Sequence, residues 1–122
     1  MANLVKFVQV EYKKINIDDL EVLKDIVGID FVFTDKEKLA DYSRDETEDL
    51  SFSPEVIVKP KTTKEVSKIL SYCDKNKITV TACGGRTGLS GGSLPIYGGV
   101  SVSLERFISI IEIDERNLQA TV

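Results

Sequence analysis

Seven of the eight glycines of this 122-residue chain fall between Gly84 and Gly99. Glycine loses more conformational freedom on folding than any other residue, so a stable fold carries such a cluster only where the backbone needs it. The cluster lets the backbone turn with φ above zero and lets another group approach its N–H groups closely. Consecutive N–H groups in such a loop form an anion-binding concavity. The run therefore predicts a site for the phosphates of a nucleotide cofactor.

Size and charge restrict the class of protein. A chain of 122 residues is a common single-domain size, and it buries roughly two thirds of the surface that its unfolded form exposes. The net charge of −4 argues against non-specific nucleic-acid binding, which requires a basic face. Because the sequence contains no run of about 18 apolar residues, it predicts no membrane span.

The cysteine and histidine contents indicate the compartment and limit the chemistry. The two cysteines, Cys73 and Cys83, do not suggest a disulfide scaffold and fit a reducing cytoplasm, and the N-terminus lacks the pattern of a signal peptide. The sequence has no histidine, which removes the commonest general base and a frequent zinc ligand. We therefore expect a cytoplasmic protein, with no metal site and no catalytic residue in this chain.

Capping residues and helical periodicity predict two helices in the first 50 residues. The first covers residues 16–27, with Asn16 or Asp18 as its cap and Gly28 as its end. A second helix is expected from Thr34, which has capping-box spacing to the glutamate three residues later.

The segment Asp41–Asp49 that follows is polar and acidic. Two interpretations of it stay open. A charge run of this kind is usually a solvated loop. The alternative is an ordered segment close to the mouth of the cofactor site.

A β-α-β unit is predicted from residue 55 to residue 81. The β-rich run Glu55–Lys59 predicts one strand and Ile78–Thr81 predicts the next. Between them, Thr62 and Glu65 form a capping box that begins a helix. An apolar stripe at helical spacing follows, consisting of Val66, Ile69, Leu70 and Cys73. The stripe places Cys73 in the core, and the connection is long enough for a right-handed parallel crossover.

Three further strands are expected after the glycine-rich run, at Gly99–Leu104, Ile108–Ile113 and Leu118–Val122. The first alternates apolar residues with serine, which is the pattern of a half-buried strand. The turn residues Asp114–Asn117 join the last two strands, which should pair as an antiparallel hairpin. Because the strand pattern is still running at Val122, we expect the chain to be a fragment of a longer protein.

The glycine loop, residues 84–92, matches neither common phosphate-binding fingerprint, since it contains no G-x-G-x-x-G and no Gly-Lys-Ser/Thr. Five of its nine residues are glycine, which is more than a simple turn needs. We expect its backbone N–H groups and the hydroxyls of Thr87 and Ser90 to bind phosphate, with Arg86 adding a charge-assisted bond. The pair Gly98-Gly99 is interpreted as a turn before a strand.

Two stretches carry a family resemblance. They read PEVIVKPKTTKEV from Pro54 to Val66 and ITVTACGGRTGLSGG from Ile78 to Gly92. Together they resemble the FAD-linked oxidases, flavoproteins of the vanillyl-alcohol-oxidase type. Within that family, the segment Thr87–Gly92 with Pro95 is most similar to the branch of the glycolate oxidase FAD subunit and D-lactate dehydrogenase.

The resemblance implies an α+β fold, the N-terminal portion of a PCMH-type FAD-binding domain. Helices at the N-terminus precede a β-α-β unit, which is followed by the glycine loop and antiparallel strands. The chain is thereby divided into an N-terminal helical segment, 1–50, and the first part of the FAD-binding domain, 51–122. The implied cofactor is FAD. Its pyrophosphate would be held by Cys83, Gly84, Gly85, Arg86, Thr87, Gly88, Leu89, Ser90, Gly91 and Gly92.

The family also implies an activity, in which flavin N5 takes a hydride from the hydroxyl-bearing carbon of a 2-hydroxy acid of the glycolate or D-lactate type. A C-terminal cap domain supplies most substrate contacts in this family. Because this chain would stop partway through the FAD domain, we expect it to be inactive alone and to bind FAD weakly. Association with partner subunits or with further copies of itself stays open.

Two positions depart from the residues usual in the family: Cys83 stands for arginine and Arg86 for glycine. Our hypothesis is that Arg86 replaces the missing arginine as phosphate partner. Cys83 is interpreted as a packed loop residue, with a reactive thiol near the cofactor as the alternative. Two other functions also stay open, a stand-alone nucleotide- or anion-binding module without redox activity and an interaction domain with a glycine-rich loop.

Overall fold

The computed structural model of the protein describes residues 11–122, so residues 1–10 of the helical segment expected over 1–50 lie outside the described part. The helices are α1 (Ile17–Val27), α2 (Lys36–Asp41) and α3 (Thr63–Lys75), and a single 3-10 turn covers Ile29–Phe31. The strands are β1 (Val32–Phe33), β2 (Val56–Val58), β3 (Val80–Cys83), β4 (Val100–Ser103), β5 (Glu112–Asp114) and β6 (Gln119–Thr121). None of the helices in residues 11–122 has the length and apolar character needed to cross a bilayer.

Four of the strands form one sheet in the order β1-β2-β4-β3. Strand β4 lies between β2 and β3 and runs parallel to both, so that Ser101 is level with Ile57 on one side and Thr81 on the other. Strands β2 and β3 of the predicted β-α-β unit are therefore parallel, as expected. They are not direct neighbours, because β4 lies between them. Strand β1 is antiparallel to β2 at the edge of the sheet.

The expected antiparallel hairpin is confirmed at the end of the chain. Strands β5 and β6 pair with Ile113 opposite Ala120, and they form a separate two-stranded sheet. The strand predicted from Ile108 begins only at Glu112. The antiparallel arrangement expected after the glycine loop therefore holds for β5 and β6, whereas β4 joins the parallel strands.

Reciprocal capping boxes begin the two long helices; the sequence predicts the box of α3, whereas for α1 it predicts only a capping residue. In α1, the Asn16 side chain accepts from the Asp19 N–H at 2.9 Å, and the Asp19 carboxylate accepts from the Asn16 N–H at 2.9 Å. Asn16, and not Asp18, is therefore the cap. In α3, Thr62 and Glu65 make the same pair of bonds, each at 3.2 Å. Each box satisfies two N–H groups that a helix start leaves without partners.

The core lies between the sheet and the two long helices. One buried apolar cluster joins the helices to the central strands β2 and β4. It contains Leu23 and Val27 of α1, Ile69 and Cys73 of α3, and Val56, Val58, Val100 and Val102 of the strands. Cys73 is 1% exposed, which confirms its predicted core position. Residues from both sides of position 50 contribute to this cluster, and the predicted division of the chain at residue 50 stays a prediction.

Other details of the predicted helices and strands were also wrong. The cap of α2 is Asp35, whose carboxylate accepts from the Lys38 N–H at 3.1 Å, and not Thr34. Strand β3 begins two residues later than predicted, and the Ile78 N–H is bonded to the Cys73 carbonyl of α3 at 2.9 Å. Leu70 is 47% exposed, since the core-facing stripe of α3 is narrower than its apolar pattern.

Strand β4 is buried on both faces, where the sequence predicts a half-buried strand. Its alternating Ser101 and Ser103 are both buried, because the far face of the sheet is covered as well. A second cluster there contains Ile57 of β2, Cys83 of β3 and Tyr42, which follows α2. The covering segment after α2 thus lies on the face of the sheet opposite α1 and α3.

Candidate functional site

The glycine loop lies at the carboxyl edge of the parallel strands. It follows directly on β3, which ends at Cys83. Strands β2 and β4 end at the same edge, so Lys59 and Glu105 leave the sheet close together and form an ion pair of 2.5 Å. In open sheets with parallel strands, ligands bind outside the carboxyl ends of the strands. The position of the loop is therefore one at which a ligand is expected.

Most glycines of the loop are required neither by backbone conformation nor by packing. A β-carbon built on Gly84, Gly88 or Gly92 would meet no described atom within 4 Å, and their φ values lie outside the left-handed region. In the loop, φ is positive only at Gly91 (+72°) and at the non-glycine Arg86 (+56°). The missing side chains at Gly84, Gly88 and Gly92 therefore leave open space for a group from outside the described residues.

The backbone N–H groups of this segment are free to bind such a group. From Gly85 to Ser90, none donates a hydrogen bond to an acceptor in residues 11–122. An open depression of about 370 Å³ lies over them, lined by Ala82, Ser93 and most of the loop. The hydroxyl-bearing side chains of Thr87 and Ser90 are exposed beside it. A row of unpaired donors around bare backbone is a suitable binding surface for the oxygens of a polyanion.

Arg86 lies in the loop but directs its guanidinium toward the segment after α2. The guanidinium donates to the Asp41 backbone carbonyl, and its carbon lies 4.1 Å from the centroid of the Tyr42 ring. A cation over a tyrosine ring is attracted by the negative face of the ring. The backbone of Arg86 has φ +56°, a conformation that glycine adopts more readily than other residues.

Cys83 ends β3 with its side chain fully buried. Its sulfur lies 3.7 Å from the Ser93 carbonyl oxygen, to which the thiol donates, and the side chain does not line the depression. Burial raises the pKa of the Cys83 thiol, and the nearby Arg86 charge offsets only part of that increase. The thiol therefore stays protonated near neutral pH, in agreement with the interpretation of Cys83 as a packed residue.

The acidic segment 41–49 is ordered against the glycine loop, which is the second of its two interpretations. The Glu46 N–H donates to the Gly88 carbonyl at 3.2 Å, and the Thr47 hydroxyl accepts from the Gly91 N–H at 2.9 Å. Sequence reasoning named neither Glu46 nor Thr47 as a site residue. Each lies more than 40 positions from its partner, and the only sequence signal was the unusual density of polar residues.

A polar cluster that the sequence did not indicate connects Tyr42 to the ends of β2 and β4. The Tyr42 hydroxyl donates to Glu105 at 2.8 Å and lies 3.0 Å from the Ser103 hydroxyl. The Lys59 ammonium holds the pKa of Glu105 below its usual range, with help from the Tyr42 bond. Burial raises the pKa of Tyr42. The aromatic ring under Arg86 is thereby fixed to the sheet.

Comparison with known proteins places this geometry in a family. Residues 54–122 match the family model described as FAD binding domain. The chain is 39% identical over 106 residues to a probable D-2-hydroxyglutarate dehydrogenase, mitochondrial, of Oryza sativa subsp. indica, covering 87% of this chain and 19% of that protein. It is 36% identical over 108 residues to a D-lactate dehydrogenase of Anaerostipes hadrus, covering 88% of this chain and 22% of the relative. The chain thus spans about a fifth of the length of these relatives.

A solved structure of p-cresol methylhydroxylase with substrate bound shares the fold. The two superpose with a TM-score of 0.68 at 24% identity, over 78% of this chain and 19% of that one. The α+β fold of a PCMH-type FAD-binding domain is therefore confirmed. The open glycine positions and unpaired N–H groups fit the diphosphate of FAD, which is the family's cofactor. The matched family model and these relatives together show that the chain belongs to the family of FAD-binding domains.

Proposed function

We propose that the glycine loop, residues 84–92, binds the pyrophosphate of FAD, and that this chain is part of an FAD-dependent oxidoreductase. The observation that carries this proposal is the row of N–H groups from Gly85 to Ser90 that find no acceptor in residues 11–122, beside glycines with no steric neighbour among the same residues. Because donors of this kind are already oriented, they stabilise an anion without being rearranged when it binds.

The residues of the loop would divide the work of holding the two phosphates. Backbone N–H groups donate to the phosphate oxygens, and the hydroxyls of Thr87 and Ser90 are within the same loop to add further donors. The missing β-carbon at Gly84, Gly88 and Gly92 allows the oxygens to come close to the backbone. The role of Arg86 as phosphate partner stays a prediction, because it requires the guanidinium to leave Asp41 and Tyr42.

The proposed reaction is oxidation of a 2-hydroxy acid of the glycolate or D-lactate type. When bound, FAD supplies a two-electron acceptor for the carbon that bears the hydroxyl group. Support for the substrate class comes from the relatives, whose names specify D-2-hydroxyglutarate and D-lactate, both 2-hydroxy acids. Contacts to the substrate would come from polypeptide outside this chain. The cytoplasm stays the proposed compartment, although the rice relative is named as mitochondrial.

An FAD titration of this chain tests the proposed role of the loop. We expect weak but saturable quenching of flavin fluorescence, and about tenfold weaker binding in Gly88→Ala, equivalent to about 1.4 kcal/mol. A control is Ser67→Ala, which changes an exposed side chain of α3 outside the loop. The activity is tested in a longer polypeptide that includes this chain, by anaerobic bleaching of bound flavin with D-lactate, glycolate or D-2-hydroxyglutarate. If neither polypeptide takes up FAD, the proposal fails.

A further inference from the structure

We propose that residues 41–47, hereafter the brace, hold the glycine loop in the conformation that accepts a diphosphate, and that Thr47 is the main positioning residue. This inference rests on the proposed function, because it assumes that the loop binds a diphosphate. The contacts from which it is argued lie within the protein and involve no ligand. Thr47 is not expected to touch the cofactor. It acts through the backbone of Gly91.

The first contact joins the brace to the far end of the loop. The Thr47 hydroxyl accepts from the Gly91 N–H at 2.9 Å, and one residue earlier the Glu46 N–H donates to the Gly88 carbonyl at 3.2 Å. One donor and one acceptor of the loop are thereby bound by two consecutive residues. Gly91 has φ +72°, so the bond fixes the one glycine of the loop whose backbone is in the left-handed region.

The second contact joins the other end of the brace to the middle of the loop. The Arg86 guanidinium donates to the Asp41 carbonyl and lies over the ring of Tyr42. Tyr42 is itself 5% exposed and is bonded through its hydroxyl to Glu105 and Ser103. The loop is therefore attached at Arg86, Gly88 and Gly91 to a segment that is anchored on the sheet.

The brace has an internal turn that orients Thr47. The Asp45 carboxylate accepts from the Thr47 N–H at 2.8 Å, which is an Asx-turn, and its other oxygen lies 3.5 Å from the Ser93 hydroxyl. Asp45 thus uses both carboxylate oxygens within the protein. Glu46 and Glu48 are exposed, and Glu46 contacts the loop through its backbone and not through its charge.

Such attachment matters because a glycine-rich loop has many accessible conformations. The more conformations the free loop can adopt, the more entropy it loses when it is held in a single shape around a ligand. A hydroxyl acceptor that holds Gly91 removes part of that cost before binding. The Thr47 hydroxyl is suited to this task because it is neutral. A carboxylate in its place would repel a diphosphate bound nearby.

Hydrogen–deuterium exchange and FAD titration of three proteins test the brace: the wild-type chain, Thr47→Val and Thr47→Ser. Valine keeps the shape of threonine without its hydroxyl, and serine keeps the hydroxyl. A net hydrogen bond is worth about 1 kcal/mol, so we expect exchange of the Gly91 amide, which donates to Thr47, to rise about fivefold in Thr47→Val. FAD affinity should fall by a similar factor. Thr47→Ser should restore both, and exchange in β4 should stay unchanged in every variant.

The outcomes separate this inference from the proposed function. If the Gly91 amide exchanges at the wild-type rate in Thr47→Val, the brace is overturned whether or not FAD binds. If exchange rises but FAD affinity is unchanged, Thr47 orders the loop without serving the cofactor, and the inference again fails. If the wild-type chain and a longer polypeptide bind no FAD, the proposed function fails, and with it the purpose assigned to the brace. A spread of faster exchange into β4 would instead show a general loss of stability and would also overturn the assignment.

Discussion

The guanidinium carbon of Arg86 lies 4.1 Å from the centroid of the Tyr42 ring, although 43 residues separate the two in the chain. This contact fastens the glycine loop to a tyrosine that is itself bonded to the end of β4. It also occupies the only cationic side chain of the loop. The loop therefore offers a ligand its backbone N–H groups first, and its positive charge only after the guanidinium has moved.

Replacement of Arg86 tests what its charge contributes. We expect Arg86→Gly to bind FAD about tenfold more weakly, since a hydrogen bond to a charged group is worth roughly 1.5 to 3 kcal/mol. Stability should change by less than about 1 kcal/mol, because glycine accepts the left-handed backbone at this position while the ring contact is lost. Arg86→Lys is the control for charge. FAD retention equal to that of the wild type in Arg86→Gly would refute both a phosphate contact and a positioning role.

A salt titration distinguishes those two roles of Arg86. A cation at the phosphate makes binding weaken with ionic strength, and Arg86→Gly should then flatten the dependence. A purely positioning role leaves the salt dependence as it is in the wild type.

Gly99 is a position where we expect side chains to be excluded. It has φ +67°, and a β-carbon there would overlap the hydroxyl and carbonyl oxygens of Thr79. The Gly99 N–H donates to the Glu55 carboxylate, and the Gly99 carbonyl accepts from the backbone N–H groups of Glu55 and Val56. Gly99→Ala should therefore lower the free energy of unfolding by about 3 kcal/mol in a urea titration.

The matched control for Gly99 is Gly92→Ala. Gly92 has no neighbour within 4 Å of a built β-carbon and an ordinary φ, so its free energy of unfolding should stay within about 1 kcal/mol of the wild type. Equal stability of the two variants would contradict the close packing at Gly99. For FAD affinity we expect the opposite order: Gly92→Ala should weaken binding more than Gly99→Ala, because only Gly92 belongs to the proposed site.

The buried carboxylate of Asp19 should make stability depend on pH. Burial alone would raise its pKa, but the hydrogen bonds from Lys13, Tyr72 and the Asn16 N–H outweigh burial and lower it. The bond to Asp19 raises the pKa of Tyr72 to about 12. Because the folded-state pKa of Asp19 lies below its usual value of about 3.9, this stabilisation is complete above that pH and is lost as pH falls below it.

Asp19→Asn measures that contribution. We expect a loss of about 2 kcal/mol at pH 7, since a buried partner of Lys13 and Tyr72 is neutralised. In urea titrations between pH 7 and pH 3, the difference in the free energy of unfolding between the wild type and the variant should shrink as the pH falls below about 3.9. A constant difference over the whole range would show that folding does not lower the pKa of Asp19.

Both thiols should be unreactive while the chain is folded. Burial raises the pKa of Cys73 to about 11 and also raises that of Cys83, and the two side chains are at most 1% exposed. Because the thiolate is the reactive form, modification by a disulfide reagent should require unfolding. Rapid labelling of one thiol under native conditions, mapped to Cys83 by mass spectrometry, would support the alternative of a reactive residue next to the loop.

Features that depend on neighbouring residues in the chain could be predicted from the sequence. The capping box of α3 is such a feature, because Thr62 and Glu65 interact over three residues, and so is the choice of Asn16 as one of two candidate caps of α1. The hairpin of β5 and β6 could also be predicted, since its turn is local. The choice of Thr34 as a cap failed because Asp35, one residue later, has a carboxylate that serves the same purpose.

Features that depend on distant residues could not be predicted. Nothing in the sequence indicated that β4 enters between β2 and β3, because parallel neighbours are determined by packing over the whole sheet. The bond from Gly91 to Thr47 joins residues 44 positions apart. The position of the glycine loop after a strand was predictable, whereas the segment that holds it was not.

The central claim is that the backbone of residues 84–92 binds the diphosphate of FAD, and a two-dimensional ¹H–¹⁵N NMR titration of the 122-residue chain with FAD tests it most directly. ADP serves as a second ligand, because it carries the diphosphate without the flavin. The account predicts saturable shifts concentrated in the amides from Gly84 to Gly92 with both ligands. Saturable shifts confined to residues outside this loop would contradict it.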